Sequence, residues 1–312
     1  MHSESGAVFR SRRYTSFAAI TEAIDAGTLK ASFLLAPLAM VMQRKGTPIK
    51  IVHLGHRDGT TMIVPTDSPV KTFADLKGKK IAIPHRYSNQ RILVERLREQ
   101  FGMAPEDLKL VDFPPPEMPA ALRMGQIDAY IVGEPFPAKA EMAGFGRVLY
   151  YTKDVWPDFI SCVLVVHEDL IRENRALVEE MVRGIGDSGA WIETPGEDLT
   201  PGIVAQREAT PEQLADPDLI VLPDDFERIH RVQAAAIAAR KEYYNQDPEL
   251  MRFVLTKPID RVRYTNLIPA RRDFEEIQRY AERLGYFSFR PVTPEDPFGF
   301  DDYCDTSFAL HR

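Results

Sequence analysis

Glu22-Ala23-Ile24-Asp25-Ala26-Gly27-Thr28-Leu29-Lys30-Ala31 lies over Ala120-Ala121-Leu122-Arg123-Met124-Gly125-Gln126-Ile127-Asp128-Ala129 without a gap, at an offset of 98 residues. Ala23 meets Ala121, Ile24 meets Leu122, Gly27 meets Gly125 and Leu29 meets Ile127. Further on, Phe33-Leu34 meets Ile131-Val132, Pro37 meets Pro135 and Gly46 meets Gly144. Each copy reads as a helix closed by a glycine, which can adopt the left-handed conformation of a C-terminal cap. A short apolar strand follows, then a proline that opens the next helix, where its missing N–H costs nothing. Chance similarity between two helix–strand–helix units explains this less well than repetition, because glycine, alanine and proline all fall in register. The spacing predicts that residues 19–46 and 117–144 are equivalent units, one in each of two lobes.

The pattern extends outward from both copies. Ile49 to Val52 and Val148 to Tyr151 read as strands, and each is followed by a second apolar run, Met62 to Val64 and Val163 to Val166. Strands alternating with helices predict an α/β fold with a parallel-type sheet in each half. Residues 1–58 and 160–312 then form one lobe and residues 59–159 the other, joined by two extended connections. A ligand belongs in the cleft between them, beyond the carboxyl ends of the strands. Upstream of its motif the second copy has a strand at Lys80 to Ile83, a helix from about Ser88 to Phe101 and a strand at Leu108 to Val111. The first copy has room only for the last of these, near Ala7 to Arg12. The expectation is a first lobe lacking its opening strand and helix, as in an N-terminally truncated sequence or one with a wrong start site.

Composition narrows the function. The 312 residues are 44% apolar and carry a net charge of −7, which argues against nucleic acid as a partner, since a phosphate-binding surface needs clustered Lys and Arg. No apolar run is long enough to span a bilayer. Met1 to Gly6 contains no basic segment followed by an apolar stretch, so the sequence as it stands shows no secretory signal. Cys162 and Cys304 stand alone, without CxxC or a histidine at metal-ligand spacing, and no metal or cofactor is implied. GxSxG, Walker, GxGxxG and HExxH motifs are all missing. His167 lies near Cys162, but positions an odd number apart on a strand face opposite sides, so the two do not form a nucleophile–base pair. The remainder reads as scaffold: an amphipathic helix from Glu168 to about Trp191, a loop-rich Pro195 to Pro217, helices from about Asp224 to Asn245 and Arg271 to Leu284, and an extended tail from Pro291 to Asp302.

Leu35-Ala36-Pro37-Leu38-Ala39-Met40, the run Phe73-Ala74-Asp75-Leu76-Lys77-Gly78-Lys79-Lys80-Ile81-Ala82-Ile83-Pro84, Val132-Gly133-Glu134-Pro135-Phe136 and the tail Asp301 to Phe308 resemble the nitrate/sulfonate/taurine-type substrate-binding proteins of ABC importers. The resemblance covers nearly the whole chain. It implies the two-lobed type II periplasmic-binding-protein fold, no catalysis, a monomer, a periplasmic or extracellular location, and delivery of a captured small molecule to a membrane permease. An enzymatic reading would run through the yeast-type pyrimidine synthases of the same fold, whose cysteine-rich motif this chain lacks. A homologue without a signal would instead act in the cytoplasm as a ligand-sensing regulator. Pro114-Pro115-Pro116 and Gly133-Glu134-Pro135 are similar to the nitrate-binding branch. By that resemblance its ligand glutamine falls on Thr60, its histidine on Gln90 and its lysine on Cys162, while its glycine is kept as Gly133. Three positions have lost the groups that suit a small oxyanion, so a larger solute with a flat or apolar part is expected.

The residues themselves give the candidate site. Ser88-Asn89-Gln90 opens a helix, whose unpaired N–H groups can hold an oxygen, although Ser88 can equally be the N-cap that satisfies them. Arg86 on the same loop can pair with an anion or be solvated. Asp58-Gly59-Thr60-Thr61 lies on the first crossing between lobes, where the hydroxyls can bond a ligand and Asp58-Gly59 also signals a turn. Gly133-Glu134 closes a strand at the cleft, and Glu134 either favours the following helix N-terminus or accepts from a cationic or amide ligand. Ala36 gives an apolar wall opposite. Trp156 and Phe159 flank the second crossing and either stack on a flat ligand or pack the hinge. Cys162 lines or backs the cleft.

Overall fold

The computed structural model describes residues 9–194, 203–205, 210–215, 220–222, 229–241, 245–258 and 260–309. In chain order its strands are β1 (Ala31–Leu34), β2 (Ile49–Asp58), β3 (Thr60–Pro65), β4 (Lys80–Ile83), β5 (Lys109–Asp112), β6 (Ala129–Gly133), β7 (Gly146–Tyr151), β8 (Ile160–His167), β9 (Ile203–Ala205), β10 (Ile220–Leu222) and β11 (Val262–Arg263). The helices are α1 (Phe17–Asp25), α2 (Ala36–Arg44), α3 (Asn89–Gln100), α4 (Met118–Arg123), α5 (Phe136–Met142), α6 (Thr152–Val155), α7 (Glu168–Glu173), α8 (Arg175–Glu193), α9 (Pro211–Leu214), α10 (Ile229–Ala239), α11 (Pro248–Thr256), α12 (Arg271–Arg283) and α13 (Phe300–Tyr303).

The repeat is real in three dimensions. One copy runs α1–β1–α2 and the other α4–β6–α5, with Gly27 and Gly125 at φ 68° and 67° closing the first helix of each. A Cβ is disfavoured there, which is why glycine recurs. β1 and β6 lie in different sheets, ordered β1-β8-β2-β11 and β5-β4-β6-β3-β7. The two copies exchange their next strands. β3 leaves β2 through a single glycine yet pairs antiparallel with β6 and β7, and β8 returns to pair antiparallel with β1 and β2.

This exchange corrects the expectation of a parallel-type sheet in each half. Every pair in the first lobe's four-stranded sheet is antiparallel: the exchanged strand β8 inserts between β1 and β2, and β11 adds to the far edge of β2, while β9 and β10 pair in parallel as a separate two-stranded sheet. Only β4 with β5 and β4 with β6 pair in parallel in the second lobe. β6 is flanked by β4, whereas β1 has no neighbour on its outer edge among the described residues. Accordingly Ile131 is 1% exposed and its counterpart Phe33 is 43% exposed. The strand expected near Ala7 to Arg12 is not formed at Phe9 to Arg12, and Ala7 and Val8 lie outside the described residues.

Three scaffold expectations change as well. The helix expected from Glu168 to Trp191 is two helices, because Asn174 leaves helical geometry (φ −148°, ψ 67°) and its side chain caps α8 by accepting from Leu177 N. Within Pro195 to Pro217 the described parts include β9 and α9, while the rest of that loop lies outside the described residues; so do 224–228 and 242–244 around α10. The tail from Pro291 ends in α13 and is held by the buried Arg44, which donates to Asp296 Oδ2 (2.7 Å) and to Pro291 O (2.8 Å).

The core of the first lobe gathers α2, β1, β2, β8, α12 and α13, and also takes in Ile92 from α3 of the other lobe. The lobes are therefore pressed together along α3. Among the described residues no helix is long and apolar enough to cross a membrane.

Candidate functional site

The first crossing is a turn in which both Asp58 (φ 57°) and Gly59 (φ 69°) are left-handed. A Cβ on Gly59 would meet the His56 and Val262 side chains at 3.0 Å at a left-handed φ, so any other residue would be strained here. Backbone bonds from Asp58 N to Phe159 O and from Gly59 N to Arg261 O, each 2.7 Å, tie the two crossings and the C-terminal segment into one knot.

From that knot β3 delivers Thr60, whose Oγ1 accepts from Gln90 Nε2 (3.2 Å) and lies 3.2 Å from Ser161 Oγ. Thr60 pairs with Gly133 across β3 and β6, and a Cβ on Gly133 would sit 3.7 Å from Ser161 Oγ and 4.0 Å from Thr60 Oγ1. Thr60, Gln90 and Gly133 thus lie together, Thr60 and Gln90 buried and Gly133 half-buried, and none of their side chains is charged. The lobe-bridging member is Ser161, which the sequence reading passed over for its neighbour Cys162. Cys162 follows on β8 opposite His56, and burial pushes its thiol up to about 11 against the pull of the Ser161 hydroxyl. A neutral thiol there is no counter-charge for an anion. The missed signal was the hydroxyl itself, next to the crossing and level with Thr60.

Ser88 is the N-cap of α3, accepting from Arg91 N at 3.0 Å, so the structural reading holds for that hydroxyl. Arg86 is exposed and stacks over Tyr87 (5.1 Å). Ala36 is fully buried in the first lobe's core at the start of α2.

Glu134 and Thr61 turn away to a second network. Arg261 donates to Glu134 Oε1 (2.8 Å) and grips Glu141 through two nitrogens (2.8 and 3.1 Å), and Thr61 Oγ1 donates to Glu134 Oε1 (3.3 Å). Ala138 N donates to Glu134 Oε2 (3.1 Å). Both carboxylate oxygens are therefore taken by the protein, and a cationic ligand would have to displace Arg261. Burial pushes Glu134 up to about 7 against the pull of Arg261 and the Ala138 N–H, with a smaller push from the Glu141 carboxylate. Burial also works against the Arg261 charge, but the hydrogen bond with Glu141 and the two nearby carboxylates outweigh it and raise its pKa.

Trp156 is edge-on to Phe159 (centroids 5.6 Å apart), and the Arg96 guanidinium lies 4.9 Å above its ring. Trp156 also lines a cavity of about 350 Å³ between α3, the second crossing and α12. Asn89 forms part of its wall. The Asn89 amide donates to Ile160 O across the lobes, and its Oδ1 is buried with no partner among the described residues. Gln90 Oε1 is likewise unpartnered.

Two lobes that exchange strands and close on a buried polar cluster define a class: this is the fold of the periplasmic binding proteins of ABC import systems. The chain is similar to the ligand-binding component of an ABC-type import system from Staphylococcus aureus, solved with zinc bound, with a TM-score of 0.73 and 23% identity over 95% of this chain and 84% of that one. It is similar also to the periplasmic nitrate-binding protein NrtA of Synechocystis PCC 6803, with a TM-score of 0.68 and 15% identity over 91% and 74% of the two chains. In sequence it is 26% identical over 203 residues to the taurine-binding periplasmic protein of Escherichia coli, a match spanning 62% of each chain and so less than two thirds of that relative. The NMT1-like family matches residues 1–200, and the chain belongs to that family.

Proposed function

We propose that this chain is the solute-binding component of an ABC importer, capturing a small organic molecule between lobes that divide at the two crossings and passing it to a permease as a periplasmic or extracellular monomer. The observation that carries this reading is the buried bond between Thr60 of one lobe and Ser161 of the other, joined by the buried Gln90 and flanked by the half-buried Gly133. Gln90 Oε1 in this cluster is buried with no partner among the described residues, and a ligand that satisfies it also favours closure. The cluster carries no charge, and the cavity lined by Asn89 and Ile160, the chain neighbours of Gln90 and Ser161, has the size of a small-molecule site. The positions that would match a nitrate site hold a hydroxyl, an amide and a neutral thiol, so the ligand is larger than nitrate or bicarbonate.

A thermal-shift screen over sulfonates, carboxylates, pyrimidines and flavins, followed by calorimetry, tests this. The expected outcome is saturable binding by at least one organic solute and none by nitrate or bicarbonate at millimolar concentration. Saturable nitrate binding, abolished by Gln90→Ala, would return the chain to a nitrate-binding role.

A further inference from the structure

We propose, resting on the solute-binding reading, that the cavity between α3, the second crossing and α12 receives an amino group of the solute, with Asn89 Oδ1 as its acceptor. The direction of the Asn89 amide is decided by its neighbour. Ile160 O can only accept, so the nitrogen of Asn89 must face it, and Oδ1 is left buried without a partner among the described residues. A buried acceptor of this kind calls for an N–H or O–H donor. An ionised sulfonate, carboxylate or nitrate brings lone pairs only and cannot meet that need.

The walls agree. Asp158, Asp273 and Glu276 line the cavity against one guanidinium, Arg272. Each of the three carboxylates is anchored through one oxygen by an arginine: Asp158 by Arg263 (2.7 Å), Asp273 by Arg57 (2.8 Å) and Glu276 by Arg96 (2.9 Å). Anchoring holds the carboxylates in place, and the second oxygens of Asp158 and Glu276 stay available to an ammonium, while Asp273 Oδ1 lies 4.0 Å from Arg272 Nε. Asn89 comes from α3, and Asp273 and Glu276 come from α12, which packs in the other lobe's core. An amino group gripped by both is held only when the lobes are closed, so this contact couples specificity to closure.

The chain has two tryptophans, so a Trp191→Phe background leaves Trp156, in the cavity wall, as the fluorescent reporter. Two matched pairs serve as probes: 2-aminoethanesulfonate against ethanesulfonate, and 3-aminopropanoate against propanoate. The amino member of a pair should perturb Trp156 emission and bind about tenfold more tightly than its partner. Asn89→Leu should erase that preference. Glu276→Gln, a milder change that keeps the fold if the first does not, should weaken the amino member severalfold more than its partner. Equal binding within both pairs, or a preference that survives both substitutions, overturns the amino-group assignment and leaves the solute-binding reading standing. Calorimetry showing no saturable binding by any solute in this set or the wider screen overturns both.

Discussion

At the scale of single residues, Arg261 shows how one buried side chain decides the state of its neighbours. It serves Glu141 with two nitrogens and Glu134 with one, so Glu134 is the carboxylate that burial holds up near 7. A carboxyl raised above its unfolded value of 4.5 keeps its proton more tightly in the folded chain. The stability this contributes is complete below the unfolded value and is lost as the pH rises through about 7. Glu134→Gln removes the titration. In urea unfolding the variant should therefore gain on the parent as the pH rises from about 5 to about 8, by at most roughly 1.4 kcal/mol per pH unit. A stability difference that stays flat across that range would show that Glu134 is ionised throughout. Nothing local marked Arg261 for this role, since it lies 127 residues from Glu134 and follows a stretch with no motif.

Among the elements, α3 carries most of what is distinctive. Its apolar positions and its Ser88 cap are local features, and both were legible before the fold was known. Asn89 and Gln90 are positioned by that cap, because Ser88 Oγ satisfies Arg91 N and fixes the first turn. Ser88→Ala should lower the unfolding free energy by about 1 kcal/mol in chemical denaturation. It should also weaken solute binding, as the two amides lose their fixed starting point. A loss of stability with binding untouched would mean that α3 is held by Ile92 in the first lobe's core rather than by its cap. The long helix expected after β8 failed at Asn174 for a related reason. Its apolar spacing carries across the break, but the asparagine side chain prefers capping to continuing a helix.

For the whole molecule, closure rests on contacts that cross between lobes. Arg96 pairs with Glu276 (2.9 Å), and Glu99 accepts from Tyr280 (3.1 Å) and from Arg283, a ladder joining α3 to α12. These side chains are partly exposed, so each rung contributes less than about 1 kcal/mol. Reversing two of them together should still tell. Glu99→Lys with Glu276→Lys places like charges against Arg283 and Arg96, and small-angle scattering should show a radius of gyration above the roughly 20 Å of a compact chain this long. An unchanged radius would leave the knot at Asp58-Gly59 and Arg261, rather than the ladder, holding the lobes shut.

Sequence alone determined what local rules govern. Helix, glycine cap, strand and proline recur at a fixed offset because each is set by the residues within a turn or two of it, and so the repeated unit, the α3 cap and the turn at Asp58-Gly59 could all be read directly. The uncharged character of Thr60, Gln90 and Gly133 was equally legible, since it depends on residue type. Tertiary structure decided everything that needs partners distant along the chain. The exchange of β3 and β8, which makes the first lobe's sheet antiparallel, leaves no periodicity to read because the strands look the same in either sheet. The choice of Ser161 over Cys162 as the residue facing Thr60 depends on a partner 101 residues away, while Cys162 pairs with His56 on β2. Arg261 on Glu134, and Asn89 Oδ1 with no donor among the described residues, follow from burial at the lobe boundary, where the low dielectric makes each polar partner count.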